Sequence, residues 1–160
     1  MWYICDNELS RQTSKRGEAG NKLRTYRLFK SRFELESYLS QVKVAKYRIA
    51  LTKLRVSCHR LQIELGRYHK PCSIPPEQRL CKLCNCIEDE VHFVCVCPVY
   101  NDLRDELYTV IDKFHPSFMY LSTRDKFIRL LTSKNTAVVN SLAKFVHLAF
   151  KLQSSYFIDL

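Results

Sequence analysis

Val44, Tyr47, Leu51, Leu54, Cys58 and Leu61 recur at alternating steps of three and four, the spacing that lines one face of an α-helix. The series predicts a continuous helix that stops near Gly66. Its opposite face is also apolar, with Ile49, Val56 and Ile63 at steps of seven. Basic rows separate the two faces: Lys46, Lys53 and Arg60 on one side, Arg48 and Arg55 on the other. A helix apolar on two faces calls for a partner on each. Upstream, Leu23, Tyr26, Phe29 and Phe33, then Leu35, Tyr38, Leu39 and Val42, give a helical pattern that begins at Asn21. One helix bent near Phe33 to Leu35 and two separate helices are both allowed.

Pro71, Pro75 and Pro76 cannot continue a helix and predict a linker. Pro98 is placed to start a helix with Val99, Leu103, Leu107, Val110, Ile111 and Phe114 inward, and His115-Pro116 ends it. Ser122 and Asp125 read as a capping box for a short helix that buries Phe127, Ile128, Leu130 and Leu131. Asn135 or Thr136 then caps a last helix with Val138, Leu142, Phe145, Ala149, Leu152 and Tyr156 on one face. The fold class is mainly α. Its parts are a flexible lead-in over 1–20, a basic helical region over 21–67, a linker over 68–80, a metal motif over 81–100 and a helical region over 98–160.

A chain of 160 residues suits one domain, which at this size buries about 70% of its unfolded surface and needs no disulfides to do so. No stretch approaches the roughly 18 apolar residues of a membrane span, and the first residues lack a basic segment ahead of a long apolar run. The expectation is an intracellular protein, nuclear or cytoplasmic and not secreted, with no membrane partner. Its eight cysteines then meet a reducing compartment, where clustered Cys and His point to metal rather than to disulfides.

The net charge of +10 is concentrated ahead of that cluster: residues 11–70 carry sixteen Lys and Arg against four Glu, whereas 71–160 carry ten of each sign. A basic segment beside a Cys/His cluster is the footprint of a nucleic-acid binder, although a solvated basic face gives the same count. The candidate contacts are Lys46, Arg48, Lys53, Arg55, Arg60 and Arg67.

Cys81, Cys84, His92 and Cys97 have the spacing C-x₂-C-x₇-H-x₄-C. A structural Zn²⁺ takes four tetrahedral sulfur or nitrogen ligands, and a C-x₂-C pair supplies two from one tight turn. Cys86 and Cys95 compete for a place; Pro98, which fixes the chain direction just beyond Cys97, favours Cys97. Glu88, Asp89 and Glu90 read as a solvated turn, or else one of them holds the second ring nitrogen of His92. Cys58 reads as a packed core residue, and the remaining cysteines and histidines as isolated. A phosphate-cradling glycine loop, HExxH, GxSxG and a paired-Asp polymerase motif are all missing from the sequence, so no catalytic residue and no small-molecule substrate are expected.

Several of these segments together resemble one family. Leu51-Thr-Lys-Leu-Arg55, Leu61 to Arg67, Arg79-Leu-Cys-Lys-Leu-Cys84, Ile87 to Phe93, Cys97-Pro-Val-Tyr100 and Leu103-Arg104 are similar to the zinc-binding segment downstream of the reverse transcriptase in LINE-type (non-LTR) retrotransposon polyproteins. The core of the resemblance covers about residues 43–105. It implies zinc held by Cys81, Cys84, His92 and Cys97, and help in handling template RNA and target DNA. It also implies a non-catalytic carboxyl-terminal fragment whose polymerase and endonuclease lie elsewhere, with a reverse-transcriptase domain on another chain as a partner. The competing expectations are a zinc-stapled protein-interaction module, received on the Ile49, Val56 and Ile63 face, and a decayed element without function.

Overall fold

The computed structural model describes residues 23, 25–30, 32 and 34–156. Among them the chain is helical, and its one piece of β pairing is an isolated antiparallel bridge between Leu80 and Ile87. The lead-in predicted over 1–20, the helix start at Asn21, and Phe33 lie outside the described residues. The α-helices are α1 Tyr26–Phe29, α2 Tyr38–Gln41, α3 Ala45–Arg55, α4 Gln62–Leu65, α5 Asn101–Asp112, α6 Thr123–Thr132 and α7 Thr136–Tyr156. Between α1 and α2 the pattern is therefore two short helices, not one bent one.

The long helix α7 is the hub, against which α2, α3, α5 and α6 all pack. It starts where Asn135 Oδ1 accepts the backbone N–H groups of Ala137 and Val138 at 2.9 and 3.2 Å, filling two donors that a helix start leaves unpaired. Its Val138, Leu142, Phe145, Val146 and Ala149 are buried with Leu51 and Leu54 of α3 and Leu107 and Ile111 of α5. Before α6, Ser122 Oγ accepts the Asp125 N–H at 3.2 Å and its hydroxyl donates to the Asp125 carboxylate at 2.6 Å. The predicted caps at Ser122 and Asn135 are thus both formed. Pro98 opens one 3₁₀ turn, Pro98–Tyr100, and α5 begins after it.

The continuous helix expected up to Gly66 is not formed. Helix α3 ends at Arg55, and Ser57 takes a left-handed φ of 53°. The Cys58 N–H reaches back to the Lys53 carbonyl at 2.8 Å and the Ser57 N–H to that of Leu54 at 3.3 Å. These are the two bonds of a Schellman stop, made here without glycine. Downstream of the stop the three-four series loses its meaning: Cys58 is exposed, Leu61 is buried at the N-cap of α4, and Arg60 sits in a non-helical link. The second apolar seam dissolves for the same reason, with Ile49 54% exposed on α3 and Ile63 2% exposed in the core from α4.

Gly66 is the C-cap of α4, at a helical φ of −62° and not a left-handed one, and the chain continues into the 3₁₀ turn Gly66–Tyr68. A Cβ there would lie 2.7 Å from the side chain of Arg79. The missing side chain gives room for buried Arg79 to donate to the carbonyls of Ile74 and Ile63 at 2.8 and 2.7 Å.

Candidate metal centre

Two local structures bring the four predicted ligands together. Cys81 and Cys84 flank a tight turn closed by Cys81 N–H to Cys86 O at 2.7 Å and Asn85 N–H to Cys81 O at 2.9 Å. Asn85 takes the left-handed φ of 56° that this turn demands, a conformation asparagine tolerates better than most residues. The Glu88 N–H to Arg79 O bond, 2.9 Å, ties the ends of the segment together just beyond the Leu80 to Ile87 bridge.

His92 and Cys97 belong to the second structure, a π-helix over His92–Val96 whose ladder ends with Cys97 N–H on the His92 carbonyl at 2.8 Å. In an α-helix, residues five apart point about 140° away from each other, whereas the wider turn of i→i+5 bonding brings them toward the same side. The wider turn makes the H-x₄-C half of the motif one-sided. Asp89 anchors its start by accepting the His92 backbone N–H at 2.8 Å. Arg104, itself buried, anchors its end through Val94 O at 2.8 Å and Cys97 O at 2.7 Å.

The ligand atoms of Cys81, Cys84, His92 and Cys97 all lie within 4.8 Å of one another. Cys84 Sγ lies 3.3 Å from His92 Nε2, close to the roughly 3.5 Å expected across a tetrahedron with bonds of about 2.0–2.3 Å. Cys81, His92 and Cys97 are buried and Cys84 is half-buried. A proton shared from Cys97, and then His92, holds the Cys81 thiol far below its ordinary value despite burial. Donating that proton, together with burial, pushes the Cys97 thiol up, and burial pushes Cys84 up. The cluster thus already favours a thiolate, the form in which sulfur binds a metal. This donor set suits a metal ion.

Cys95 stands apart from this group. Burial pushes its thiol up to about 12, against a hydrogen bond with Tyr108. Cys86 likewise contributes no ligand atom to the group.

The acidic run between the ligands is not a solvated turn, because Glu88 and Glu90 are 5% and 0% exposed. Glu88 accepts the Gln62 N–H at 2.7 Å and the Gln153 side-chain amide at 3.1 Å. Glu90 accepts the Ser57 hydroxyl at 2.8 Å, and its Oε1 lies 3.0 Å from His59 Nε2. The metal segment is thereby stitched to α4, α7 and the end of α3. Sequence patterning placed Ser57, His59 and Gln153 in no site, since their partners lie far along the chain.

The six basic candidates divide. Lys46, Lys53 and Arg60 are exposed. Arg55 is 5% exposed; it donates to Leu131 O and Glu36, each at 2.7 Å, and its guanidinium lies over the rings of Phe29 and Tyr38. That position makes it a core residue, not a surface contact. Arg48 donates to Val42 O at 2.7 Å, and Arg67 Nε lies 3.0 Å from Glu64. Part of the basic excess is therefore spent inside the fold. No helix among the described residues is long and apolar enough to cross a membrane. No protein-family model, curated protein or solved structure matches the chain.

Proposed function

We propose that this chain is a zinc-stapled helical module that binds RNA or DNA and is not itself an enzyme. The observation that carries the reading is the convergence of Cys81, Cys84, His92 and Cys97 within 4.8 Å, beside a helix that exposes Lys46 and Lys53. Three sulfurs and one imidazole are a soft set suited to Zn²⁺. With four protein ligands the coordination is closed, which leaves the metal a structural role. The resemblance to the retrotransposon zinc-binding segment agrees with this reading. The rival, a protein-interaction module, loses the continuous apolar seam on which it rested, since Ile63 is buried.

Elemental analysis of protein purified without chelator should find one zinc per chain. Cys81→Ser and His92→Ala should abolish tight binding, and Cys95→Ser should preserve it. Zinc content near zero in the parent would overturn the metal assignment. Affinity for labelled RNA or DNA should fall steeply with salt, by a log–log slope of about −0.7 to −0.9 per phosphate contacted. Salt-independent binding, or none, would remove the nucleic-acid reading. Primer extension with Mg²⁺ should yield no template-dependent product.

A further inference from the structure

Helices α3 and α7 meet along an edge that composition alone does not show. The Tyr47 and His147 rings lie there with centroids 5.3 Å apart and planes at 54°, both half-buried. Lys46 Nζ stands 5.4 Å from the Tyr47 ring centroid. Partial burial, then the charges of Lys46 and Lys151, hold the His147 imidazole below its ordinary value, so near neutral pH it is an uncharged ring. Lys144 also flanks the edge and pairs with Glu106 at 3.0 Å. Lys46 and Lys151 are exposed, and neither forms an ion pair among the described residues.

We infer that this α3/α7 edge seats a single strand of nucleic acid, with bases stacking on Tyr47 and His147 and phosphates passing over Lys46 and Lys151. Cations flanking half-buried aromatic rings at a surface edge are the arrangement that binds single strands with little sequence preference. A duplex keeps its base faces inside the stack and has nothing to offer the two rings. This inference rests on the nucleic-acid reading above and gives it a surface. It adds His147 and Lys151, from the far end of the sequence, to the exposed Lys46.

The test is fluorescence anisotropy of the zinc-loaded full chain with labelled oligouridylate and oligothymidylate, and with a duplex of matched length. Lys46→Glu combined with Lys151→Glu should weaken both single strands by about tenfold or more and flatten the salt slope. Tyr47→Ala should weaken them by about fivefold or more, and Tyr47→Trp should restore binding and lose fluorescence when the strand is added. Lys113→Glu combined with Arg124→Glu, reversing exposed charges elsewhere, should bind nearly as the parent does. If the parent binds but the Lys46, Lys151 and Tyr47 variants match it in affinity and salt slope, the edge is not the seat and the broader reading survives. A parent that prefers the duplex also overturns the inference. If the parent binds no nucleic acid, both readings fall together.

Discussion

The Arg104 guanidinium donates to the backbone carbonyl of Cys97 at 2.7 Å. The same fork reaches the carbonyl of Val94 and, at 2.6 Å, the side-chain oxygen of Asn101. One buried cation therefore closes the π-turn, sets the backbone of a ligand and joins both to α5. Arg104→Ala leaves these buried carbonyls without their donor, and the expected loss is about 2–4 kcal/mol of stability. Zinc affinity, measured by competition with a chelator, should fall about tenfold to a hundredfold because the ligand loses its support. Arg104→Lys should recover little, since a point charge cannot span both carbonyls. Unchanged affinity in the alanine variant would mean that the turn holds itself.

Ser57 serves two structures at once, through its left-handed backbone and its hydroxyl on Glu90. In urea unfolding, Ser57→Gly should keep the stop and lose only the hydroxyl. Ser57→Ala should lose the hydroxyl and retain the strained φ, at a cost of about 1–3 kcal/mol. Ser57→Val should be worst, because a β-branched residue is an outlier in that region. An alanine variant as stable as the parent would show that the Glu90 contact contributes nothing.

Glu36 accepts Arg55 at 2.7 Å and lies 2.8 Å from Lys30. Burial pushes its carboxyl up, but the Lys30 hydrogen bond and the Arg55 charge outweigh it and leave the group below the ordinary value of 4.5. A carboxyl lowered by folding stabilises the protein fully above 4.5, and the contribution is lost as pH falls through the lowered value. Glu36→Gln should therefore unfold at lower denaturant than the parent at neutral pH, and the gap should close in acid. A gap that stays constant below pH 4.5 would contradict the shift.

The ligand set was legible because four soft residues fall within one short stretch and need no distant partner to be recognised. The π-turn was not, since no residue type in His92–Val96 encodes i→i+5 bonding; Asp89 and Arg104 impose it from outside. Caps at Ser122 and Asn135 were legible for the opposite reason, their partners lying three residues away or fewer. The stop at Ser57 defeated the periodicity because the apolar series runs on past it. The chain turns there on the left-handed backbone of Ser57, whose hydroxyl is held by Glu90, 33 residues downstream. Arg55 was misplaced in the same way, as its partners on Glu36 and Leu131 are invisible to a helical wheel of α3.

Glu88 sets an order of events for a chain made from its amino terminus. One of its oxygens is met by Gln62, already synthesised, but the other waits for Gln153, 65 residues later. Such distant closure comes late in folding. The thiols of Cys81, Cys84 and Cys97 thus emerge from the ribosome well before the helix that completes the hydrogen bonding of Glu88 between them, and during that interval they are open to any thiophilic metal or oxidant. For the proposed zinc module, correct loading is in this sense a kinetic matter that begins while α7 is still being made.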